Sequence, residues 1–418
     1  MKKIVLFLLT VEAWLVLWRH RPTIVGVTGS VGKTSTKEAI ATLLGEHYQV
    51  RKSPKSYNSE IGVLLAILGI PNAWRSKIGW AKNLVRGALT VLSRAPYPEM
   101  LVLEMGVDRP GDFDKLLRWV QPDIAVATAV GETPVHVEFF SGPDELANEK
   151  AKLIRAVCAG GTAVVNADDP RTAEMHARGQ VRTITYGKRN DAIVRGSVYK
   201  LLMRQQKPYG MTFKIDYDGK TMPIKILGAV GEHMMYSLLG AAAVGIALGL
   251  NLIEIGEGFL RYRTPPGRLT IIDGKDGALL LDDSYNASPI AVRAALKVLE
   301  SISARRKIAV LGDMLELGRF ASAEHRNVGA AAAGIADVVV AVGVRSKAME
   351  SQAARVFYWF PNAGDAAEFL KSFIQEGDLV LVKGSQSMRM EKIVEALMVH
   401  PEDAPKLLVR QEAYWKQS

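Results

Sequence analysis

The feature that most constrains this chain is a glycine-rich loop near its start, between an apolar run and a segment with helical spacing. The run Ile24–Val27 indicates a short buried strand, and residues 37–44 continue with the periodicity of a helix. Between them lies the sequence Thr28-Gly-Ser-Val-Gly-Lys-Thr-Ser35. A strand, a glycine loop and a helix start are typical of a phosphate-binding loop, in which backbone N–H groups and the positive helix end face the anion.

Two side chains of this loop suit the binding of a nucleotide with a divalent cation. Lys33 supplies a positive charge, and the hydroxyl of Thr34 is a ligand that suits Mg²⁺. The usual pattern has a glycine five residues before Gly32, where this chain has Val27, so the loop is a variant. The alternative is a tight turn without a ligand, which the flanking strand and helix disfavour.

Composition and charge bound the remaining possibilities. A chain of 418 residues is expected to form two or three domains, and its single cysteine, Cys158, excludes an internal disulfide framework and fits a reducing compartment. The first 100 residues hold 14 Lys or Arg against 5 Asp or Glu, which accounts for most of the net charge of +10. This basic end suggests an anionic partner, which is a membrane surface, a nucleic acid or a phosphorylated substrate.

The first residues form an apolar segment with basic ends. Residues 4–18 are apolar except for Thr10 and Glu12, and a helix of this length reaches about 22 Å, short of a bilayer core of about 30 Å. No small-residue cleavage site follows, which argues against a removed signal peptide. We expect an interfacial or shallowly inserted helix, with a tilted membrane span and a helix packed on the protein itself as the alternatives.

A second basic segment follows at residues 77–94. Its apolar residues form a helical stripe, and Lys77, Lys82, Arg86 and Arg94 lie off that stripe. A helix of this kind suits the surface of an anionic bilayer, although a core-packed helix with a solvated basic face explains the pattern equally well. The neighbouring apolar N-terminus favours the membrane interpretation slightly.

The rest of the chain alternates between strands and helices, which predicts an α/β fold with a mostly parallel, doubly wound sheet. Residues 192–226 have the texture of an antiparallel edge, and residues 261–267 are the best linker. The predicted strands lie at residues 100–106, 123–128 and 161–166 in a first unit, and at 278–282, 307–311, 338–342 and 379–382 in a second.

Polar residues follow several of these strands, at the edge where open α/β sheets bind ligands. Glu104 and His136 are predicted to meet Thr34 around Mg²⁺ ions held by the phosphates of ATP. Taken alone, Glu104 also fits a helix cap or a salt bridge, and His136 fits an ordinary loop histidine. Three polar loops of the second unit, at residues 281–289, 311–318 and 382–390, are expected to form one functional edge.

Several motifs follow one another along residues 22–398. They are Thr28–Ser35, Tyr57–Gly62, Glu104–Gly106, Asn166–Asp169, Pro266–Arg268, Asp282–Pro289, Gly312–Gly318 with His325, and Lys383–Ser385. This ordered set resembles the Mur ligase family. The resemblance implies a P-loop ATPase central domain at 22–262 and a C-terminal Rossmann-like domain at 263–400. An apolar basic helix at 1–21 precedes them, and a polar tail at 401–418 follows.

The resemblance also implies an activity. We expect an ATP-dependent, ADP-forming peptide ligase that works through an acyl phosphate and adds a D-alanyl-D-alanine-type dipeptide to a cell-wall precursor peptide. Its substrates would be a peptide-bearing carboxylate and an amine, and no nucleic acid partner is expected. The protein would work in the cytoplasm or at the inner face of the plasma membrane, where it would contact an anionic membrane surface. The alternatives are a relative with a different acceptor and a membrane-associated scaffold without activity.

The resemblance implies a role for individual residues according to their positions in these motifs. ATP would contact Thr28, Gly29, Ser30, Val31, Gly32, Lys33, Thr34, Ser35, Arg268 and Asp283. Magnesium ions, expected to number two, would be held by Thr34, Glu104, His136 and a carbamylated Lys150, and the catalytic set would be Lys33, His136 and Lys150. The substrates would contact Asn58, Asn286, Lys383 and Ser385.

The sequence departs from the family pattern at several places. Only 21 residues precede the P-loop strand here, where the family has a UDP-sugar-binding domain, so the matched motifs do not account for recognition of a UDP-sugar. Residues 131–136 carry an extra residue or two before His136. Both asparagines of the family's adenine contact are replaced in residues 231–237, and Gln386 stands where the family has arginine.

Overall fold

The computed structural model describes residues 2–54, 57–205, 207–352, 356–412 and 415. Parts of the polar stretch 53–62 and of the tail, residues 55–56, 413–414 and 416–418, lie outside the described residues. The strands form a nine-stranded and a six-stranded sheet, and each sheet is covered by helices on both faces.

The nine-stranded sheet belongs to the first part of the chain, and its strand order is β2-β3-β1-β4-β5-β6-β7-β8-β9. Its strands are β1 (Thr23–Thr28), β2 (Val50–Lys52), β3 (Met100–Glu104), β4 (Ile124–Ala127), β5 (Thr162–Asn166), β6 (Arg182–Gly187), β7 (Val194–Arg204), β8 (Lys207–Tyr217) and β9 (Lys220–Leu227). Its helices are α1 (Lys2–His20), α2 (Lys33–Leu44), α3 (Glu60–Leu68), α4 (Lys77–Leu92), α5 (Asp112–Leu116), α6 (Pro143–Arg155), α7 (Pro170–Ala173), α8 (Glu232–Ala247) and α9 (Leu252–Phe259).

The six-stranded sheet follows, with the strand order β10-β11-β15-β12-β13-β14. Its strands are β10 (Thr270–Asp273), β11 (Leu279–Asp283), β12 (Arg306–Gly312), β13 (Val338–Val342), β14 (Val356–Phe360) and β15 (Asp378–Lys383). Its helices are α10 (Pro289–Ser301), α11 (Ala321–Ala333), α12 (Ala363–Phe373), α13 (Glu391–Leu397) and α14 (Ala404–Leu407).

The predicted doubly wound architecture is confirmed in both sheets. Strands β1 to β6 pair in parallel, and β7, β8 and β9 add the expected antiparallel edge. Their near-continuous apolar runs are buried on both faces, as parallel strands require. The small-residue helix α8 packs close to α2. Gly245 of α8 lies so near Leu43 of α2 that a side chain at Gly245 would press on it.

The three polar loops of the second unit meet at one edge of its sheet, as predicted. They follow β11, β15 and β12, which are neighbours in the strand order. The amide of Ser385 donates to the carbonyl of Asp313 at 3.0 Å, and its hydroxyl accepts from the amide of Leu315 at 2.9 Å. The loops after β12 and β15 are therefore directly joined.

The N-terminal helix α1 packs on the protein through one face. Leu9, Ala13 and Val16 are fully buried against the apolar cluster that includes α3. Of the three arrangements considered for this segment, one face of α1 follows the helix packed on the protein itself. The opposite face of α1 stays exposed. Within the described ranges, the model contains no helix with the length and apolarity needed to cross a membrane.

Candidate active site

The glycine-rich loop between β1 and α2 has the backbone of an anion-binding loop. Gly29 and Gly32 have φ values of 140° and 88°, which side chains rarely tolerate, and a Cβ on Gly29 would overlap the Thr128 hydroxyl. The amides of Ser30 and Val31 donate to the carbonyl of Ala129 at 2.7 and 3.1 Å. These bonds anchor the loop to the segment after β4, so its shape is fixed by the sheet.

The start of α2 is open to a negatively charged ligand. Gly32 caps the helix without a side chain, so no side-chain hydrogen bond occupies the first-turn amides, which carry the positive end of the helix dipole. The ammonium of Lys33 lies 2.8 Å from the carbonyl of Gly29, over the same loop. Burial lowers the pKa of Lys33, with Glu104 acting in the opposite direction. The buried hydroxyls of Thr28 and Ser30 have no hydrogen-bond partner among the described residues, which fits a bound phosphate group.

Two hard oxygen ligands lie beside this loop. Glu104 is buried at the end of β3, and its Oε2 accepts no hydrogen bond from the described residues, while the ammonium of Lys37 lies 3.7 Å away. The hydroxyl of Thr34 lies 3.3 Å from a nitrogen of Arg268. Glu104 and Thr34 line a cavity of about 480 Å³ between the two units, called here the second cavity. Oxygen ligands of this kind fit Mg²⁺.

No set of three or more His, Cys, Asp or Glu side chains in the described part of the chain is arranged to hold a metal ion. An ion at Glu104 and Thr34 would therefore need further ligands from phosphate oxygens, from water or from a modified side chain. Mg²⁺ commonly keeps several waters and binds through one or two protein carboxylates together with substrate phosphates.

His136 lines the second cavity but is held by carboxylates. Its Nδ1 lies 3.0 Å from Glu316 of the second unit, and its Nε2 lies 3.6 Å from Asp108. The pKa of Glu316 is lowered by its contact with His136. Both His136 and Glu316 have left-handed backbone conformations, with φ of 71° and 63°. His136 therefore joins the two units across the cavity that the sequence predicts to hold metal.

Lys150 is buried in the middle of α6, with 1% of its surface exposed. Burial lowers its pKa well below the usual value, the charge of Lys33 adds to this, and Asp108 acts against it. Lys33 and Asp108, whose charges act on Lys150, both line the second cavity. A lowered pKa increases the fraction of Lys150 in the neutral amine form, which is the form that reacts with CO₂.

A further cavity of about 510 Å³, called here the first cavity, lies on the other side of Arg268. Arg268 lines both cavities and packs over the ring of Tyr285 at 4.2 Å. Burial lowers the pKa of His233 to about 4, so the imidazole at this cavity is neutral. The polar residues lining it include Ser35, Asn166, Asp168, Asp169, Tyr236, Ser237 and Asp283.

The predicted substrate residues divide between the two cavities. Asn58, Asn286 and Ser385 line the second cavity, where they face the P-loop. Lys383 instead lines the first cavity, where its ammonium pairs with Asp283 at 2.6 Å and donates to the carbonyl of Asn286 at 2.9 Å. This pair ties the ends of β15 and β11 together.

The tail contributes residues that sequence reasoning missed, because its polar composition carries no recognisable motif. Arg410 is 7% exposed and donates to the carbonyls of Ser284 and Tyr285 at 2.7 and 3.1 Å, and to Glu391 at 2.9 Å. Trp415 lines the second cavity. The tail therefore holds the loop after β11, which begins next to Asp283 and carries Asn286.

Replacing Arg410 by methionine should destabilise the protein and loosen this loop. The change removes three hydrogen bonds and leaves two buried carbonyls without donors, which costs on the order of 2–4 kcal/mol. Thermal denaturation should show a lower midpoint, and ATP turnover should show a raised KM. Arg410→Lys is the control, because it keeps one charge near Glu391 and should lose less. An unchanged midpoint and KM in Arg410→Met would contradict this role for the tail.

Family comparison agrees with this geometry. The model of the Mur ligase middle domain matches residues 27–245, and that of the Mur ligase glutamate ligase domain matches residues 267–386. The chain belongs to the Mur ligase family. A UDP-N-acetylmuramoyl-tripeptide–D-alanyl-D-alanine ligase from Bacillus subtilis is 30% identical over 385 residues, which cover 90% of this chain and 76% of that protein. The enzyme of the same name from Escherichia coli is also 30% identical, over 378 residues, with the same two coverages.

Solved structures agree with the sequence relatives. A crystal structure of MurF from Acinetobacter baumannii superimposes with a TM-score of 0.78 at 26% identity, covering 93% of this chain and 79% of that chain. MurF from Thermotoga maritima, solved in complex with ADP, gives 0.77 at 26% identity, covering 94% and 83%. The fold prediction and the family resemblance are therefore confirmed.

Proposed function

We propose that this chain is an ATP-dependent, ADP-forming ligase that adds a D-alanyl-D-alanine-type dipeptide to a cell-wall precursor peptide. The observation that carries the proposal is the second cavity, where Lys33, Thr34 and Glu104 of the first unit face Asn286 and Ser385 of the second. Phosphate-binding groups and candidate substrate contacts thus share one space. The family and the names of the relatives support the reaction and its substrates.

The residues of this cavity suit the two halves of such a reaction. When a carboxylate attacks the γ-phosphate of ATP, negative charge gathers at one place, and Lys33 with the start of α2 neutralises it. Arg268 adds a second cation, and its contact with Thr34 brings the second unit to the phosphate side. An amine must then attack the activated carboxyl group before water does, which requires a closed cleft.

Contacts between the two units provide this closure. The hydroxyl of Thr133 donates to Glu324 at 2.7 Å, and the amide of Glu138 donates to the carbonyl of Glu316 at 3.4 Å. Together with the His136–Glu316 pair, these contacts join the two units. We assign the units to a central domain at 22–262 and a C-terminal domain at 263–400, a division that the matched ranges 27–245 and 267–386 support.

Magnesium is the metal that these residues suit. Glu104 and Thr34 would hold it beside the phosphates, and a carbamate on Lys150 would add a second anionic protein group near them. Bound Mg²⁺ supplies charge neutralisation at the phosphate oxygens. In this arrangement His136 has one of two roles. It holds the wall of the second cavity through its contacts with Glu316 and Asp108, or it turns to bind a second Mg²⁺ ion. Because ATP and such precursors are cytoplasmic, we place the reaction in the cytoplasm.

The proposal is tested by measuring ADP release from the full chain with UDP-N-acetylmuramoyl-tripeptide, with D-alanyl-D-alanine, and with both. We expect release only with both, together with a product whose mass equals the sum of the two substrates less one water. Release that depends on a different carboxylate or amine would favour a relative with another acceptor. Nucleotide binding without any dependent release, across a panel of peptides, would favour a scaffold without activity.

A further inference from the structure

Helices α1 and α4 lie side by side on the surface and form one layer, called here the α1–α4 face. The carboxylate of Glu12 lies against Gly87, where a Cβ would overlap it, and a guanidinium nitrogen of Arg19 donates to the carbonyl of Val91. The ring of His20 stacks on Tyr97, with centroids 4.7 Å apart. Because the inner side of α1 is buried against the core, the outer sides of both helices are fixed in place.

This face carries an unusual concentration of exposed apolar side chains. Half of the large apolar side chains that are exposed in the described part of the chain lie on it or in the loop that precedes α4. Single exposed apolar residues need no explanation, whereas contiguous patches mark interaction sites. They are Ile4, Phe7, Leu8, Val11, Trp14 and Trp18 on α1, Trp74 before α4, and Ile78, Val85, Leu89 and Leu92 on α4.

The charge around this patch has one sign. Residues 2–22 and 74–98 contain nine Lys or Arg and a single acid, Glu12. Glu12 points inward, its Oε2 is buried without a partner among the described residues, and burial raises its pKa to about 7. The exposed cations are Lys3, Arg19, Arg21, Arg75, Lys77, Lys82, Arg86 and Arg94. The face therefore presents apolar and positive groups and no exposed carboxylate within these two segments.

We propose that the α1–α4 face docks flat on an anionic phospholipid bilayer. Lys and Arg complement the negative headgroups, and the apolar stripes enter the boundary with the acyl chains. Three exposed tryptophans, Trp14, Trp18 and Trp74, suit this boundary because the indole is apolar with one polar N–H. A flat orientation follows from the burial of the inner face of α1, and it agrees with the lack of a membrane-spanning helix among the described residues.

The test is co-sedimentation of the full chain with vesicles of phosphatidylcholine, with and without one third phosphatidylserine. We expect binding that requires phosphatidylserine and that weakens as salt is raised, because screening shortens to about 3 Å at 1 M. Replacing Lys77, Lys82, Arg86 and Arg94 together by glutamine should reduce partitioning roughly 100-fold, since each basic residue near the surface contributes severalfold. Replacing Val85, Leu89 and Leu92 by serine should also reduce it.

Matched controls test whether vesicle binding depends on the α1–α4 face or only on the overall charge and apolarity of the protein. Exposed Lys200, Lys214, Lys220 and Lys297 changed to glutamine remove the same charge elsewhere. Ile253→Ser on α9 with Leu260→Ser directly after it removes exposed apolar groups. These variants should bind like the unchanged protein, and all variants should keep ADP release, which reports folding independently. Protein that stays in the supernatant with both vesicle types overturns the proposal. An equal loss of vesicle binding in the control variants overturns it too. A dimer that is seen in ultracentrifugation and is dispersed by the Val85, Leu89 and Leu92 serine variant would also overturn it, because the face would then bind a second copy of the chain.

Discussion

Lys33→Ala should lower ATP turnover by ~10²–10³-fold while leaving the protein folded. Lys33 is the cation that lies on the P-loop itself, and its ammonium lies 2.8 Å from the carbonyl of Gly29. The loop backbone is held by the sheet through Ala129, so removing the side chain takes away charge and leaves the shape of the loop intact. The loss should appear in kcat as well as in KM, because negative charge on the phosphates grows in the transition state.

The measurement is ADP release with both substrates, beside thermal denaturation of the same sample. Lys115→Ala is the matched control, because Lys115 is an exposed lysine whose only ion pair in the described structure is Asp112 at 3.6 Å. Lys115→Ala should behave like the unchanged protein. Near-normal turnover in a folded Lys33→Ala protein would show that this loop is not the phosphate site.

The architecture of the chain could be predicted because its strands carry strong local signals. Buried parallel strands such as Val338–Val342 are continuous apolar runs, and their positions matched the structure closely. Four strands were missed: β2, β10 and β14 lie at sheet edges, and β6 lies between β5 and β7. β6 has the mixed sequence Arg182–Gly187 and β10 is a four-residue antiparallel edge strand, so neither stands out as an apolar run. β14, Val356–Phe360, is rich in aromatic residues that favour a strand and was overlooked.

The positions of the candidate site residues were predictable where a motif lies on one element, and not where they depend on contacts across the chain. The P-loop places Lys33 and Thr34 by local geometry alone, and Glu104 follows from the end of β3. By contrast, Glu316 reaches His136 only because the two sheets pack together, and Arg410 reaches Ser284 over 126 positions of sequence. Lys383 was expected beside the incoming amine, but its pairing with Asp283 depends on the neighbouring register of β11 and β15.

Lys150 is the residue whose chemistry differs most from its appearance in the sequence, where it lies in an ordinary charged helix. Burial holds its pKa well below the usual value, so the neutral amine predominates over a wider pH range than for an exposed lysine. The amine lone pair can then bond to the carbon of CO₂, and one proton is released to solvent as the carbamate forms. The positive side chain becomes negative, which suits the proposed magnesium site beside Lys33. Because protonation removes the reactive amine, carbamate content and activity should both fall as pH is lowered.

We therefore expect Lys150→Ala to lose at least ~10²-fold in ADP release, with partial recovery in acetate or formate, whose carboxylates can occupy the vacated space. ¹³C NMR with labelled bicarbonate should show a carbamate carbonyl signal in the unchanged protein and none in Lys150→Ala. Lys152→Ala is the control on the same helix. Its exposed ammonium pairs with Asp114 and Glu149 at 2.6 and 2.7 Å, which raises its pKa and keeps it protonated. Lys152→Ala should retain the carbamate signal and activity. Full activity of Lys150→Ala in bicarbonate-free buffer, or an unchanged NMR signal, would show that Lys150 serves only in the packing of α6.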